Sequence, residues 1–183
     1  MSFTPLTGTG TAGAYIPGDK LGAQTVEKIR TNFNDHETRI LVTEAEGRLR
    51  WAEVSVSSSE LLALRATPKT LVASPGAGKV LEFTSAVLLL DAATAYVESA
   101  ANLSIRYNNT TGAKASDDIE TTGFIDQSAD TMTTARPKAD VIVAKTGCEN
   151  VPLVLHNVGS GEYTTGTGVM RVKVSYRVWT TGW

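Results

Sequence analysis

The sequence predicts a mainly β protein, an antiparallel β-sandwich preceded by an extended arm and a short coiled-coil helix. Three observations carry this. Residues 169–179 alternate Met170, Val172, Val174, Tyr176 and Val178 with Arg171, Lys173, Ser175 and Arg177, the period of a half-buried strand. The runs that follow Trp51 are separated by turn-forming residues and by no segment of helical period. Only residues 19–47 lack proline over a long stretch and repeat apolar side chains at helical spacing. The resulting division is an arm at 1–18, a helix at 19–50 and a sandwich at 51–183.

Within the sandwich, strands are expected at 54–57, 70–73, 79–90, 103–107, 141–144, 151–157 and 169–179, with additions near Ala95 and at Phe124–Ile125. The breaks are Pro75-Gly76-Ala77-Gly78, Asn108 to Gly112, Arg136-Pro137 and Gly159-Ser160-Gly161. Pro presets φ, Gly accepts positive φ, and Asn and Thr bond their own backbone, so each break favours a turn. Seven to nine strands with such turns fit jelly-roll-like or other Greek-key wiring better than an α/β layout.

Residues 2–18 are rich in Gly, Thr and Pro and show no period. They build no core alone, and two readings stay open: a floppy terminus, or an attachment arm anchored on a partner subunit by Phe3, Leu6, Tyr15 and Ile16. The helix that follows has Asp19 as N-cap and Gly47 at its C-terminal end. Placing Val26 at heptad position a puts Ile29 at d, Phe33 at a, His36 at d and Ile40 at a. Charged and amide residues fill the intervening positions, so the stripe is too narrow for a helix lying on a large core. It suits self-association, and β-branched and aromatic seam residues point to a homotrimer. A lone helix packed on its own domain is the alternative, because the seam spans barely three heptads. His36 reads as a tolerated polar seam position, or as three imidazoles converging on an axis where an anion or metal could bind.

The chain has 183 residues, 17 basic and 19 acidic, for a formal net charge of -2. That balance supplies no field to draw the protein to nucleic acid or an anionic membrane. The longest apolar runs, such as 86–90, fall far short of the roughly 20 residues that cross a bilayer, and the N-terminus lacks a signal-peptide layout. Synthesis in a cytoplasm is expected. The single cysteine, Cys148, offers no intrachain disulfide and no zinc cluster.

Motifs for chemistry are weak, and the expectation is a protein that is not an enzyme and has no cofactor. Gly76-Ala77-Gly78-Lys79 resembles the end of a phosphate loop, but Ala73 stands where the first glycine belongs and Val80 where Ser or Thr would meet the metal. It reads as a hairpin turn. Of two histidines, His36 belongs to the seam and His156 lies opposite Leu153 and Leu155 on its strand, where a structural or solvated role is expected. Asp117, Asp118, Glu120, Asp126 and Asp130 cluster among Ser, Thr and Gly, the composition of a solvated loop rather than a glycosidase cleft or an EF-hand. Arg171, Lys173 and Arg177 form a basic stripe on one strand face.

The layout resembles a known class. Ile16-Pro17-Gly18-Asp19-Lys20-Leu21 leading into Gln24 to Phe33 is similar to the opening of tailed-bacteriophage appendage proteins, in which a Gly-Asp-x-Leu element precedes a trimerising helix. The segments 70–79, 103–112 and 153–157 are similar to parts of small head-decoration or head-fibre proteins. The resemblance implies a trimer on the virion surface, attached through its arm and helix to another virion protein such as the major capsid protein. It carries over no catalytic residue. A tail-fibre or baseplate component binding a host surface glycan is the alternative.

Overall fold

The computed structural model describes residues 31, 32, 34, 46–98 and 102–183. The chain divides into two units, Met1–Glu44 and Ala45–Trp183. In the first, Thr31, Asn32 and Asn34 have helical backbone and are exposed. The seam residues Val26, Ile29, Phe33, His36 and Ile40 and the arm residues Phe3, Leu6, Tyr15 and Ile16 lie outside the described residues.

The second unit is mainly β. Its strands are β1 (Arg50–Val56), β2 (Lys69–Val72), β3 (Lys79–Asp91), β4 (Leu103–Tyr107), β5 (Thr131–Ala135), β6 (Leu153–Asn157) and β7 (Val169–Thr180), with short helices α1 (Ser58–Leu62) and α2 (Lys145–Cys148). Every pairing among them is antiparallel, giving a four-stranded sheet ordered β1-β7-β3-β5 and a three-stranded sheet ordered β2-β6-β4. The register explains why the alternation is so clean. Ala52, Val174, Ala86 and Ala135 form one cross-strand row, with Val54-Val172-Leu88 and Val56-Met170-Leu90 beside it. Directly paired side chains share a face, and these rows point inward: Met170, Val172, Val174 and Leu88 have no solvent exposure. Leu103, Ile105, Leu153 and Leu155 do the same from the small sheet, and all join one hydrophobic cluster.

The observed strands differ from the expected ones in four places. Residues 141–144, expected as a strand, are irregular and lead into α2; Ile142 is almost fully exposed and has no inward partner. Phe124–Ile125 is a turn, buried but not paired, and near Ala95 the backbone makes a single bridge, Val97 to Thr164. β5 was not expected, because Thr131-Met132-Thr133-Thr134-Ala135 offers only Ala135 as a buried side chain.

A helical turn also interrupts the strands. α1 is held by a capping box, with the Glu60 N–H and the Ser57 N–H each bonded to the other residue's side chain. The Ser-x-x-Glu spacing that makes it is visible at 57–60. Glu60 also pairs with Lys69, and that contact first, then the Ser57 N–H, holds its carboxyl down at about 2.

The Asp- and Thr-rich stretch after β4 is more than a solvated loop. Asp117, Asp118 and Glu120 are exposed, but Ala115, Ile119, Phe124 and Ile125 enter the core. Residues 113–119 run antiparallel beside β4, with Ile119 and Leu103 exchanging both backbone bonds and the Ala115 N–H donating to Ile105 O. At Ser116 the side chain substitutes for backbone: its Oγ accepts the Ile105 N–H at 2.8 Å. Gly47 turns the chain into β1 with φ of 66°, its N–H donating to Val178 O and its Cα against the Trp179 ring.

Leu155→Ala is expected to cost about 2–5 kcal/mol in urea unfolding, as for a large side chain lost from a closed core. Ile142→Ala should stay within about 0.5 kcal/mol of the parent, because its side chain lies in solvent.

Candidate functional site

The turn at Gly76–Lys79 joins β2 to β3, which pair with other strands in different sheets, so it is a connection between the sheets and not the hairpin expected from its Pro and Gly residues. Gly76 and Gly78 have φ of 102° and 69°, and their N–H groups donate to Asn150 Oδ1 at 3.0 Å and Glu149 Oε1 at 2.8 Å. The donors a phosphate would need are already occupied by side chains of the α2–β6 connection.

Four of the five clustered carboxylates have a local task. Asp118 pairs with Lys114, Glu120 accepts the Thr121 and Thr122 N–H groups, Asp126 accepts the Gly123 N–H, and Asp130 accepts the Ala92 N–H. Among the described residues no group of three or more His, Cys, Asp or Glu side chains is placed to hold a metal ion. Cys148 is a free, half-buried thiol whose pKa is raised by burial and then by the Glu149 charge.

The outer face of the four-stranded sheet carries the predicted basic stripe. Lys173 lies 3.5 Å from Glu53 on β1 and Arg177 lies 3.7 Å from Glu82 on β3, so two of its three charges are matched within the sheet. Around them sit apolar side chains in the same outward rows: Trp51 opposite Ser175, Leu89 between Arg171 and Met132, and Val87 opposite Lys173. Trp51 is 73% exposed and Met132 63%. At the far end Trp179 donates its indole N–H to Glu82, and Trp183 lies beneath Lys145 Nζ, 5.7 Å from the ring centre.

The outer face of the three-stranded sheet is different, because loops cover it. Ser104 and His156 are cross-strand partners there, as are Arg106 and Val154, and Ser104, Val154 and His156 are buried. The residues following α1, those around Thr110, and those around Glu162 surround an open cleft of about 690 Å³ lined by Arg65, Arg106, Thr110, Thr111, His156 and Glu162, among others. Glu162 ties two of the loops together, accepting the Arg65 N–H at 2.9 Å and the Ala66 N–H at 2.7 Å. Arg106 is fixed by its Nε to Ser104 Oγ and by its Nη1 to the carbonyls of Thr110 and Gly112.

His156 lies opposite Leu153 and Leu155 as its position in the strand implies, but it is buried rather than solvated, at 6% exposure. Its Nδ1 has no hydrogen-bond partner among the described residues. Burial lowers its pKa first, and the Arg106 charge lowers it further. Neither arginine was singled out by sequence pattern. Arg65, Arg106 and the His156–Glu162 segment lie far apart in the chain, and the β4–β6 pairing and the Glu162 clamp bring them together.

No family model matches the chain, and no curated protein matches its sequence. Among solved structures, the chain is similar to one in the capsid asymmetric unit of cyanophage Pam1, at 14% identity and a TM-score of 0.40, covering 71% of this chain and 83% of that one. It is also similar to one in the capsid of Ralstonia phage GP4, at 11% identity and a TM-score of 0.41, covering 72% and 85%. Superposition this partial leaves the function to be argued from the residues.

The His156 environment has a consequence for stability. With its folded pKa below the ordinary value, the unfolded chain binds the proton first, so His156 supports the fold above about pH 6.5 and opposes it as pH falls from there towards the folded pKa. The urea midpoint should drop between pH 7.5 and pH 5.5, and the drop should be smaller in His156→Gln; an identical drop in both proteins would assign it to other groups.

Proposed function

We propose that the protein is a structural component of a tailed-bacteriophage virion, a capsid decoration or head-fibre trimer on the virion surface. In this reading residues 1–18 and the seam helix attach it to another virion protein, such as the major capsid protein, and the β unit displays or clamps. It works by binding, without catalytic residues or cofactor and without nucleic-acid or membrane partners.

The observation that carries this reading is the outer face of the four-stranded sheet, where Trp51, Met132, Val87 and Leu89 interrupt a charged surface. Apolar side chains gathered on a face of matched charges suit a subunit or capsomer contact. The β1-β7-β3-β5 and β2-β6-β4 orders support a sandwich with jelly-roll wiring, the first and last strands being neighbours. Residues 113–119, beside β4, occupy the fourth place of the smaller sheet. A Val26, Ile29, Phe33, His36, Ile40 seam on the preceding segment supports three copies held side by side. Threefold attachment strengthens binding to a symmetric shell without any single strong contact.

Light scattering on the full-length protein should give three times the chain mass, and Phe33→Asp should shift it to the monomer while leaving the β-sheet circular dichroism unchanged. A parent that stays monomeric across the accessible concentration range would overturn the trimer. Deleting residues 2–18 should abolish binding to purified capsids by at least about 100-fold if three arms act together; undiminished binding would remove the arm from the attachment.

A further inference from the structure

The cleft above the three-stranded sheet holds more positive charge than its own structure consumes. Among the described residues, neither Arg65 nor Arg106 is in an ion pair. Among these same residues the Arg65 guanidinium makes no hydrogen bond, and Arg106 spends Nε and Nη1 and leaves Nη2. The one carboxylate of the cleft, Glu162, has both oxygens on main-chain N–H groups. Beside them His156 is buried with an unpartnered nitrogen. Three loops and a sheet thus converge on these cationic donors.

We propose that this cleft binds a carboxylate-bearing sugar, a hexuronate residue of an acidic surface glycan, with Arg65 and Arg106 each taking one carboxylate oxygen. Arg106 is the preorganised half of the pair, because three protein bonds already fix its plane and little freedom is lost on binding. Thr110 and Glu162 supply a hydroxyl and spare lone pairs for sugar hydroxyl groups on either side. The volume, about 690 Å³, lies in the range of small-ligand sites.

The lining selects among anions. A phosphate dianion suits clustered free main-chain N–H groups, whereas here those groups are bonded to Glu162, and the Glu162 charge opposes a second negative charge. A neutral sugar would need an aromatic platform, and none of Arg65, Ala66, Arg106, Thr110, Thr111, His156, Val158, Gly161 and Glu162 is one apart from the buried imidazole. A single carboxylate on a polyhydroxylated ring matches both the charge and the mixed donors and acceptors. The inference goes beyond the virion reading and does not depend on it, since all its residues lie in the Ala45–Trp183 unit.

The test is calorimetric titration of the full-length protein at low salt with trigalacturonate, its methyl ester, inorganic phosphate and free glutamate. Trigalacturonate should bind saturably, with a Kd on the order of 1 mM, and the neutral ester should not. Arg65→Gln and Arg106→Gln should each weaken binding about tenfold or more. Arg65→Gln is the decisive variant, because its guanidinium holds no part of the fold, whereas Arg106→Gln also frees the loop at Thr110. Absence of saturable binding overturns the proposal, as does unchanged binding by Arg65→Gln. Equal binding of phosphate or glutamate overturns the sugar assignment and leaves a general anion patch.

Discussion

The β3–β7 ladder is the constraint from which the rest of the β unit follows. The two longest strands pair from Lys79 with Thr180 to Asp91 with Val169, and the single irregularity lies between Phe83 and Ser85. Since side chains alternate across a strand, a one-residue slip anywhere in this ladder would turn Met170, Val172 and Val174 outward and Arg171 and Lys173 inward. Burying unpaired Lys or Arg is prohibitive, so the charges on β7 enforce the register as firmly as the apolar residues favour it. β1 and β5 then add to the two sides of a template whose faces are already decided.

The two sheets treat their outer faces differently. Among the described residues, the outer face of the large sheet carries cross-strand ion pairs among exposed and half-buried apolar side chains. Such exposed pairs add little stability on their own, but they keep the face polar around its apolar side chains. The small sheet covers its outer face with loops, burying Ser104, Val154 and His156 and leaving a cleft between the loops. A charged face set with apolar side chains and a concave polar cleft are thus placed on different sheets of one unit.

Burial also sets the protonation states of the interior. The Tyr107 hydroxyl, donating to Leu81 O at 2.9 Å, is pushed up to about 12 chiefly by desolvation, and Tyr163 is raised for the same first reason. Both hydroxyls stay neutral throughout the physiological range. His156 is displaced in the opposite sense because its charged form is the cation, and two nearby arginines add to the cost.

Strong alternation made β7, β3 and β4 legible in the sequence, and the turn chemistry at 75–78 and 108–112 located the breaks between them. These signals are local: a half-buried strand must alternate, and a tight turn must carry residues that accept its dihedrals. The capping box at 57–60 was equally local and passed over beneath the surrounding strand pattern. β5, the paired segment 113–119 and the irregular course of 141–144 were decided by tertiary structure, because an edge strand of threonines takes its identity from the neighbour it pairs with, and Ile142 has the composition of a strand without an inward side. The cleft is the extreme case. Arg65, Arg106, His156 and Glu162 have no common spacing, and they become one site because antiparallel pairing of β4 with β6 and two main-chain bonds to Glu162 bring distant segments together. Sequence by itself determined what each short segment can pack or turn; the fold decided which of those segments meet, since that depends on pairings whose energy belongs to no single stretch of chain.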